Sequence, residues 1–107
     1  MSIAQPELIE AAWALGRVMP EADGERWRQD ACGAWMLREH FGREDSDFGW
    51  KLEKTFPGGE ETADNVRPFH WRNSYDLANR RPHCRVSADR SNVPAEKYAT
   101  PPRNREL

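Results

Sequence analysis

The sequence predicts an α+β fold, and three local patterns carry that prediction. Residues 5–18 place apolar side chains at helical spacing. Residues 48–56 partly alternate apolar and polar side chains, as a strand with one buried face does. Residues 66–79 again have the features of a helix. A chain of 107 residues suits one small domain, so we expect these elements to share a small core.

The N-terminal segment has the signals of an amphipathic helix. Pro6 suits the first helical position, and Glu7 and Glu10 favour the positive end of the helix dipole. Pro20 and Gly24 then interrupt the pattern. We expect this helix to pack on the rest of the domain. A role in dimerisation or in binding a partner is the alternative.

The middle of the chain combines an ambiguous stretch with a clear strand. Residues 25–41 fit either a helix or a short hairpin around Cys32-Gly33. In the strand that follows, Phe48, Trp50 and Leu52 are expected to face the core. A turn at residues 57–59, Pro-Gly-Gly, should end it.

A second helix is predicted from about Val66 to Asn79. Asn65 can cap it, Pro68 is tolerated in a first turn, and Trp71 and Tyr75 form an i, i+4 pair. Residues 83–107 are rich in proline and have few apolar anchors, which predicts an extended or disordered tail. The predicted organisation is therefore a helix and linker (1–24), a domain (25–82) and a tail (83–107).

Charge is unevenly distributed along the chain. The net charge is −2, with −7 in residues 1–66 and +5 in residues 67–107. A basic C-terminal part can meet phosphates, whereas the acidic N-terminal part would repel them. We therefore expect any contact with DNA or RNA to involve the C-terminal half.

The sequence shows no secretory signal and no membrane-spanning stretch, which predicts a cytoplasmic protein with no membrane partner. Residues 1–20 lack a basic start followed by a long apolar run, and no stretch approaches the ~18 apolar residues of a membrane span. Cys32 and Cys84 are accordingly expected to be reduced thiols. The alternative is a zinc site that combines them with His70 or His83, although no Cys-x-x-Cys pair is present.

A longer motif adds to these patterns. It reads Gly49-Trp50, then Pro-Gly-Gly at 57–59, then Asn65, then Trp-Arg-Asn at 71–73. Together with Asp-Ala-Cys-Gly-Ala-Trp-Met at 30–36, this order resembles the HNH endonuclease family over about residues 26–80. The resemblance implies a ββα-metal unit, in which a β-hairpin and a helix hold one divalent ion while a histidine activates water.

The resemblance assigns roles to particular residues. Glu53 occupies the position of a carboxylate ligand, and Asn65 and Asn73 match asparagines of the motif. His70 lies one helical turn before Asn73, so the implied metal ligands are Glu53, His70 and Asn73. Lys54 stands where the family has its catalytic histidine. A lysine with an ordinary pKa near ~10.4 is protonated at neutral pH and is a poor base.

Three functional hypotheses follow from the lysine at this position. The first is a catalytically degenerate HNH-like domain that binds nucleic acid or protein, without a cofactor. The second is an active endonuclease that uses one divalent metal ion. The third is a small regulatory or inhibitory factor that binds only protein. In the first two, four arginines in the predicted second helix and directly after it are expected to contact phosphates. They are Arg67, Arg72, Arg80 and Arg81.

Overall fold

Four two-stranded antiparallel sheets and one helix make up the part of the chain that the structure describes. The structure is a computed structural model, and it describes residues 5–20, 22–56, 58–89 and 102–107. The helix, α1, spans Gln5–Ala14. The strands are β1 (Trp27–Gln29), β2 (Trp35–Leu37), β3 (Trp50–Lys54), β4 (Val66–His70), β5 (Ser74–Asp76), β6 (Arg81–His83), β7 (Val86–Ala88) and β8 (Asn104–Glu106). Consecutive strands pair, as β1–β2, β3–β4, β5–β6 and β7–β8.

The predicted α+β fold with a ββα unit is wrong, because residues 66–79 form strands β4 and β5 and the fold is rich in β-structure. Strand β4 pairs with β3 over five positions, from Trp50 opposite His70 to Lys54 opposite Val66. This pairing buries Val66 on one face of the hairpin and Phe69 on the other. The burial of both faces outweighs the local helix signals of the segment.

The predictions for the N-terminal helix and for the strand within residues 48–56 agree with the structure, and so does one of the two alternatives for residues 25–41. The N-terminal helix is confirmed, although it ends at Ala14 and the backbone of Arg17 then pairs with Gln29. The strand predicted within residues 48–56 is confirmed as β3. Residues 25–41 adopt the hairpin alternative, with Gly33 in the turn at a φ of 81° that favours glycine. No helix in the described ranges has the length and apolar character needed to cross a membrane.

The apolar core lies between α1 and one face of the β3–β4 hairpin. Its buried members are Leu8, Ala12, Trp13, Met36, Trp50 and Val66. Trp50 is at the centre, with the rings of Trp13 and Phe41 at 5.2 and 4.9 Å between centroids. Leu52 packs at the margin, so the face of β3 that the alternation predicted to be buried does face the core. The core is small, and other interactions must join the remaining sheets to it.

A polar centre around Asp30 makes that connection. The side chain is 2% exposed, and its two carboxylate oxygens accept four hydrogen bonds. Oδ1 accepts the backbone N–H groups of Cys32 and Ala34, each at 2.9 Å. Oδ2 accepts the backbone N–H of His70 and the amide N–H of Asn73, also at 2.9 Å. One carboxylate therefore joins the β1–β2 turn to β4 and to the segment before β5.

Asn73 extends the polar centre to the C-terminal sheet. Its Nδ2 also donates to the carbonyl of Val86, and its Oδ1 accepts the N–H groups of Arg85 and Val86 at 2.7 and 3.0 Å. Strand β7, which begins at Val86, pairs with β8. Part of the segment predicted to be a loose tail thus forms a sheet, and residues 90–101 of that prediction lie outside the described residues. The predicted division into 1–24, 25–82 and 83–107 stays a prediction.

A disulfide bond crosses the same region, so the prediction of two reduced thiols is wrong for this structure. Cys32, in the β1–β2 turn, is bonded to Cys84, which lies between β6 and β7. Neither sulfur is free as a thiolate ligand, and the zinc alternative therefore loses both of its cysteines. The bond is next to the polar centre, since Cys32 donates its N–H to Asp30 and Arg85 donates its N–H to Asn73.

Replacing the central carboxylate should destabilise the fold strongly. In Asp30→Asn, an amide nitrogen would face N–H donors, so about two charge-assisted hydrogen bonds would be lost. We expect the free energy of unfolding to fall by about 3 kcal/mol or more, measured by urea denaturation. Asp23→Asn is the matched control, because the exposed carboxylate of Asp23 accepts the N–H of Glu25 and no other hydrogen bond from the described residues. Equal effects of the two substitutions would contradict a central role for Asp30.

Removing the disulfide should also lower stability, because the cross-link restricts the unfolded chain. For a sequence separation of 52 residues, loop-closure entropy gives a loss of about 4 kcal/mol. The measurement is urea denaturation of the native protein with and without dithiothreitol. A Cys32→Ser, Cys84→Ser double variant is the control, and reductant should leave its midpoint unchanged. An unchanged midpoint in the native protein would refute the expectation.

Candidate functional site

The structure separates the residues predicted to form a metal site. His70 pairs with Trp50 and Glu53 pairs with Arg67 in the β3–β4 hairpin. Because side chains alternate along a strand, Glu53 and His70 face opposite sides of this hairpin. Glu53 accepts the backbone N–H of Tyr75 at 3.0 Å. His70 and Asn73 do come together, since both donate to Asp30.

His70 uses both of its ring nitrogens in the fold. Nε2 lies 2.7 Å from the carbonyl oxygen of Asp47, and Nδ1 lies 3.1 Å from the backbone N of Arg72. The carbonyl can only accept and the backbone N–H can only donate, so the proton is assigned to Nε2. Burial lowers the pKa of His70, against the opposing effects of the Asp47 carbonyl and of Asp30. The imidazole is therefore neutral at pH 7 and has no free lone pair.

The remaining motif positions are also structural or exposed. Lys54 is at the exposed end of β3, and no ion pair to it is present in the described part of the chain. Asn65 is 8% exposed, and its Nδ2 donates to the carbonyl of Glu60 at 2.9 Å. It precedes a strand, so its predicted role as a helix cap is wrong. Across the described ranges, no group of three or more His, Cys, Asp or Glu residues could hold a metal ion.

The four predicted phosphate-binding arginines do not share one helix face. Arg72 pairs with Glu106 and lies over the ring of Trp71 at 5.9 Å. Arg80 lies over Phe56 at 5.8 Å, in the turn between β5 and β6. Arg81 is exposed on β6. Arg67, on β4, differs from the other three because it lines a hollow in the surface of the described part of the molecule.

This hollow, here called the arginine groove, has a volume of about 500 Å³ and runs between β4 and the end of β1. A backbone bridge joins two of its lining residues, since Arg17 and Gln29 exchange N–H···O bonds of 2.8 and 2.9 Å. Residues that define it include Leu15, Arg17, Gln29, Arg67, Phe69 and Tyr75. Sequence reasoning identified Arg67 but missed Arg17, since only tertiary pairing brings the two together.

The charges that line the arginine groove are unbalanced. Arg17 and Arg67 carry permanently charged guanidinium groups, and neither makes an ion pair with another described residue. Nη1 of Arg67 donates a hydrogen bond to the carbonyl of Val66 at 2.7 Å. Asp30 is the one acidic residue among the described lining residues, and both of its oxygens already accept hydrogen bonds. The groove therefore offers cationic donors and no free acidic acceptor in its lining.

Comparison with known proteins does not extend this description. The chain matches no protein-family model, no curated protein and no solved structure. The resemblance to HNH endonucleases therefore stays a prediction from the motif.

The buried histidine should make stability depend on pH. The pKa of His70 is lowered below its ordinary value of 6.5 in the folded state, so the unfolded chain takes up a proton first as pH falls. The stability that the fold has with a neutral His70 is present above about pH 6.5, and it is lost as the pH falls toward the lowered pKa of the folded state. We expect urea unfolding between pH 8 and pH 5 to show this slope, and His70→Gln to flatten it. His83→Gln, at an exposed position, should retain the slope, and a flat profile in the native protein would contradict the expectation.

Proposed function

We propose that this protein is a non-catalytic module that binds nucleic acid through the arginine groove. The observation that carries the proposal is the pair of guanidinium groups, Arg17 and Arg67, without ion-pair partners in the described residues. Planar guanidinium donors match the oxygens of a phosphate, and neutralising phosphates releases counterions. A groove of this kind therefore gains affinity from a polyanion and little from a neutral ligand.

The hairpin face beside the groove modulates its charge. Lys51 lies opposite Phe69 on the same face as Arg67, and no ion pair to Lys51 is present among the residues described. Glu53 is directly opposite Arg67 and would repel a phosphate. The net balance favours an anion, and the proposal makes Glu53 an inhibitory charge. The metal-site hypothesis instead makes Glu53 a ligand, so the two hypotheses predict opposite effects of neutralising it.

The hydrogen bonds that His70 and Asn73 make within the fold support binding rather than catalysis. Both are held in hydrogen bonds to the backbone and to Asp30, which leaves neither a free lone pair for a metal nor a free base. Lys54, at the position where the motif has its catalytic histidine, is exposed at the end of β3. The endonuclease and the protein-interaction factor are the competing hypotheses, and one set of assays separates all three.

The binding assay is fluorescence anisotropy of a labelled oligonucleotide titrated with the protein at several salt concentrations. We expect affinity to fall steeply with salt, and Arg17→Gln or Arg67→Gln to weaken binding about three- to tenfold. Each variant should also reduce the log–log salt slope by about 0.7, the value for one phosphate contact on a single strand. Glu53→Gln should tighten binding, because it removes a repulsive charge.

The matched control is Arg43→Gln, whose charge Asp45 already neutralises at 3.0 Å. It should bind like the native protein. Incubation of supercoiled plasmid with Mg²⁺, Mn²⁺, Ni²⁺ or Zn²⁺ should give no cleavage by the native protein or by Lys54→His. Metal-dependent cleavage that Glu53→Gln abolishes would replace the proposal with the endonuclease. Absence of nucleic-acid binding at low salt would favour the protein-interaction factor.

A further inference from the structure

We infer that the arginine groove takes an unpaired nucleotide, so that the module binds single strands in preference to duplexes. The inference rests on the proposed function and names its ligand. The phosphate would lie at Arg17 and Arg67, and the base would lie against the apolar wall of the groove. Four observations lead to this arrangement: an aromatic wall, an unused amide, blocked strand edges and the size of the groove.

The apolar wall is built from aromatic and aliphatic side chains. Tyr75 presents the aromatic ring of this wall, and the ring of Phe69, which is only 1% exposed, supports it from behind at 6.4 Å between centroids and 57°. Tyr75 is half-buried and pairs with Pro82, which also lines the groove. Leu15, another lining residue, is 50% exposed. Bases of a single strand stack on such surfaces, whereas the base faces of an intact duplex are covered by their neighbours.

A polar group in the lining can recognise the edge of a base. Gln29 is 6% exposed and is one of the lining residues, and its Oε1 lies near Gly33 of the β1–β2 turn, 3.8 Å from where a Cβ would stand. No hydrogen bond to its side-chain amide occurs among the residues that the structure covers. An amide carries both a donor and an acceptor, which match the mixed donors and acceptors of a base edge. A simple inorganic anion would use only the guanidinium groups and would leave this amide unused.

The edges of the groove disfavour an extended peptide, the main alternative occupant. A peptide that adds a strand needs an open row of backbone donors and acceptors. On one side, Pro68 is in the middle of β4 and has no N–H to donate. On the other side, Gln29 already exchanges backbone hydrogen bonds with Arg17. Recognition in the groove must therefore come mainly from side chains, as it does for an unpaired nucleotide.

The dimensions of the groove suit one nucleotide. Its volume of about 500 Å³ falls within the ~300–1,000 Å³ typical of sites for small organic ligands. It would enclose one base and its phosphate and leave the neighbouring nucleotides outside. A preference for single strands is then a property of one site and does not require a long binding channel.

The test compares a labelled oligothymidylate of ten nucleotides with a hairpin duplex of equal charge, by anisotropy and by competition. We expect the single strand to bind at least tenfold more tightly. Tyr75→Ala should weaken single-strand binding about tenfold, and Tyr75→Phe should retain it, because base stacking needs only the ring. Phe56→Ala is the matched aromatic control, since Phe56 is 63% exposed and outside the groove lining. It should bind like the native protein.

A second measurement avoids any loss of folding in the variants. The native protein is photo-cross-linked to a single strand that contains 5-bromouracil, and the attached residue is identified by mass spectrometry. We expect the bromouracil base to be attached to Tyr75 or to a neighbouring lining residue. Cross-links only outside the groove would overturn the inference. Equal affinity for the duplex would also overturn the single-strand inference while leaving the proposed function intact. If neither nucleic acid binds, the inference and the proposed function are both refuted. Displacement of the single strand by an oligoglutamate peptide at equal concentration would assign the groove to an acidic peptide instead.

Discussion

The buried carboxylate of Asp30 is the interaction on which most of the fold depends. Each strand is three to five residues long, and a two-stranded sheet of that length is marginal alone. The apolar core joins α1, β2, β3 and β4, but the other sheets contribute few buried side chains to it. Asp30 and Asn73 supply the missing connections through hydrogen bonds. The charge is stabilised by four converging N–H groups, because no cation pairs with it among the described residues.

The same arrangement limits the chemistry of the residues that resemble a nuclease motif. The imidazole of His70 donates to one backbone group and accepts from another, so both of its ring nitrogens serve to orient the chain. The Asn73 amide is likewise saturated, with two donors and two acceptor positions in use. On the opposite face of the β3–β4 hairpin the balance is reversed, since Arg67 and Lys51 keep their charges without ion-pair partners in the described ranges.

Sequence patterns predicted the elements whose signal is local and failed where pairing decides the structure. The helix around Leu8 and the strand around Trp50 have periodic burial that can be read from neighbouring residues. Asn65 and Pro68 fit the start of a helix, and only pairing with β3 selects the strand. Within the candidate site, the basic character of Arg67 was predicted. The presence of Arg17 in the lining of the same groove was not, because it depends on a tertiary backbone bridge between Arg17 and Gln29. The disulfide was missed because cysteines 52 residues apart give no spacing signal.

The Cys32–Cys84 bond also changes what happens when the backbone is cut. Every residue of β2 to β6 lies inside the covalent ring that this bond closes. The loop between β3 and β4 is inside the ring and exposes Glu60 and Glu61 to a glutamate-specific protease. A single cut there opens the chain without releasing a fragment, because the sulfur atoms still hold the two pieces together. The nicked protein would migrate as one species without reductant and as two with it, so limited proteolysis reports the redox state of the cysteines.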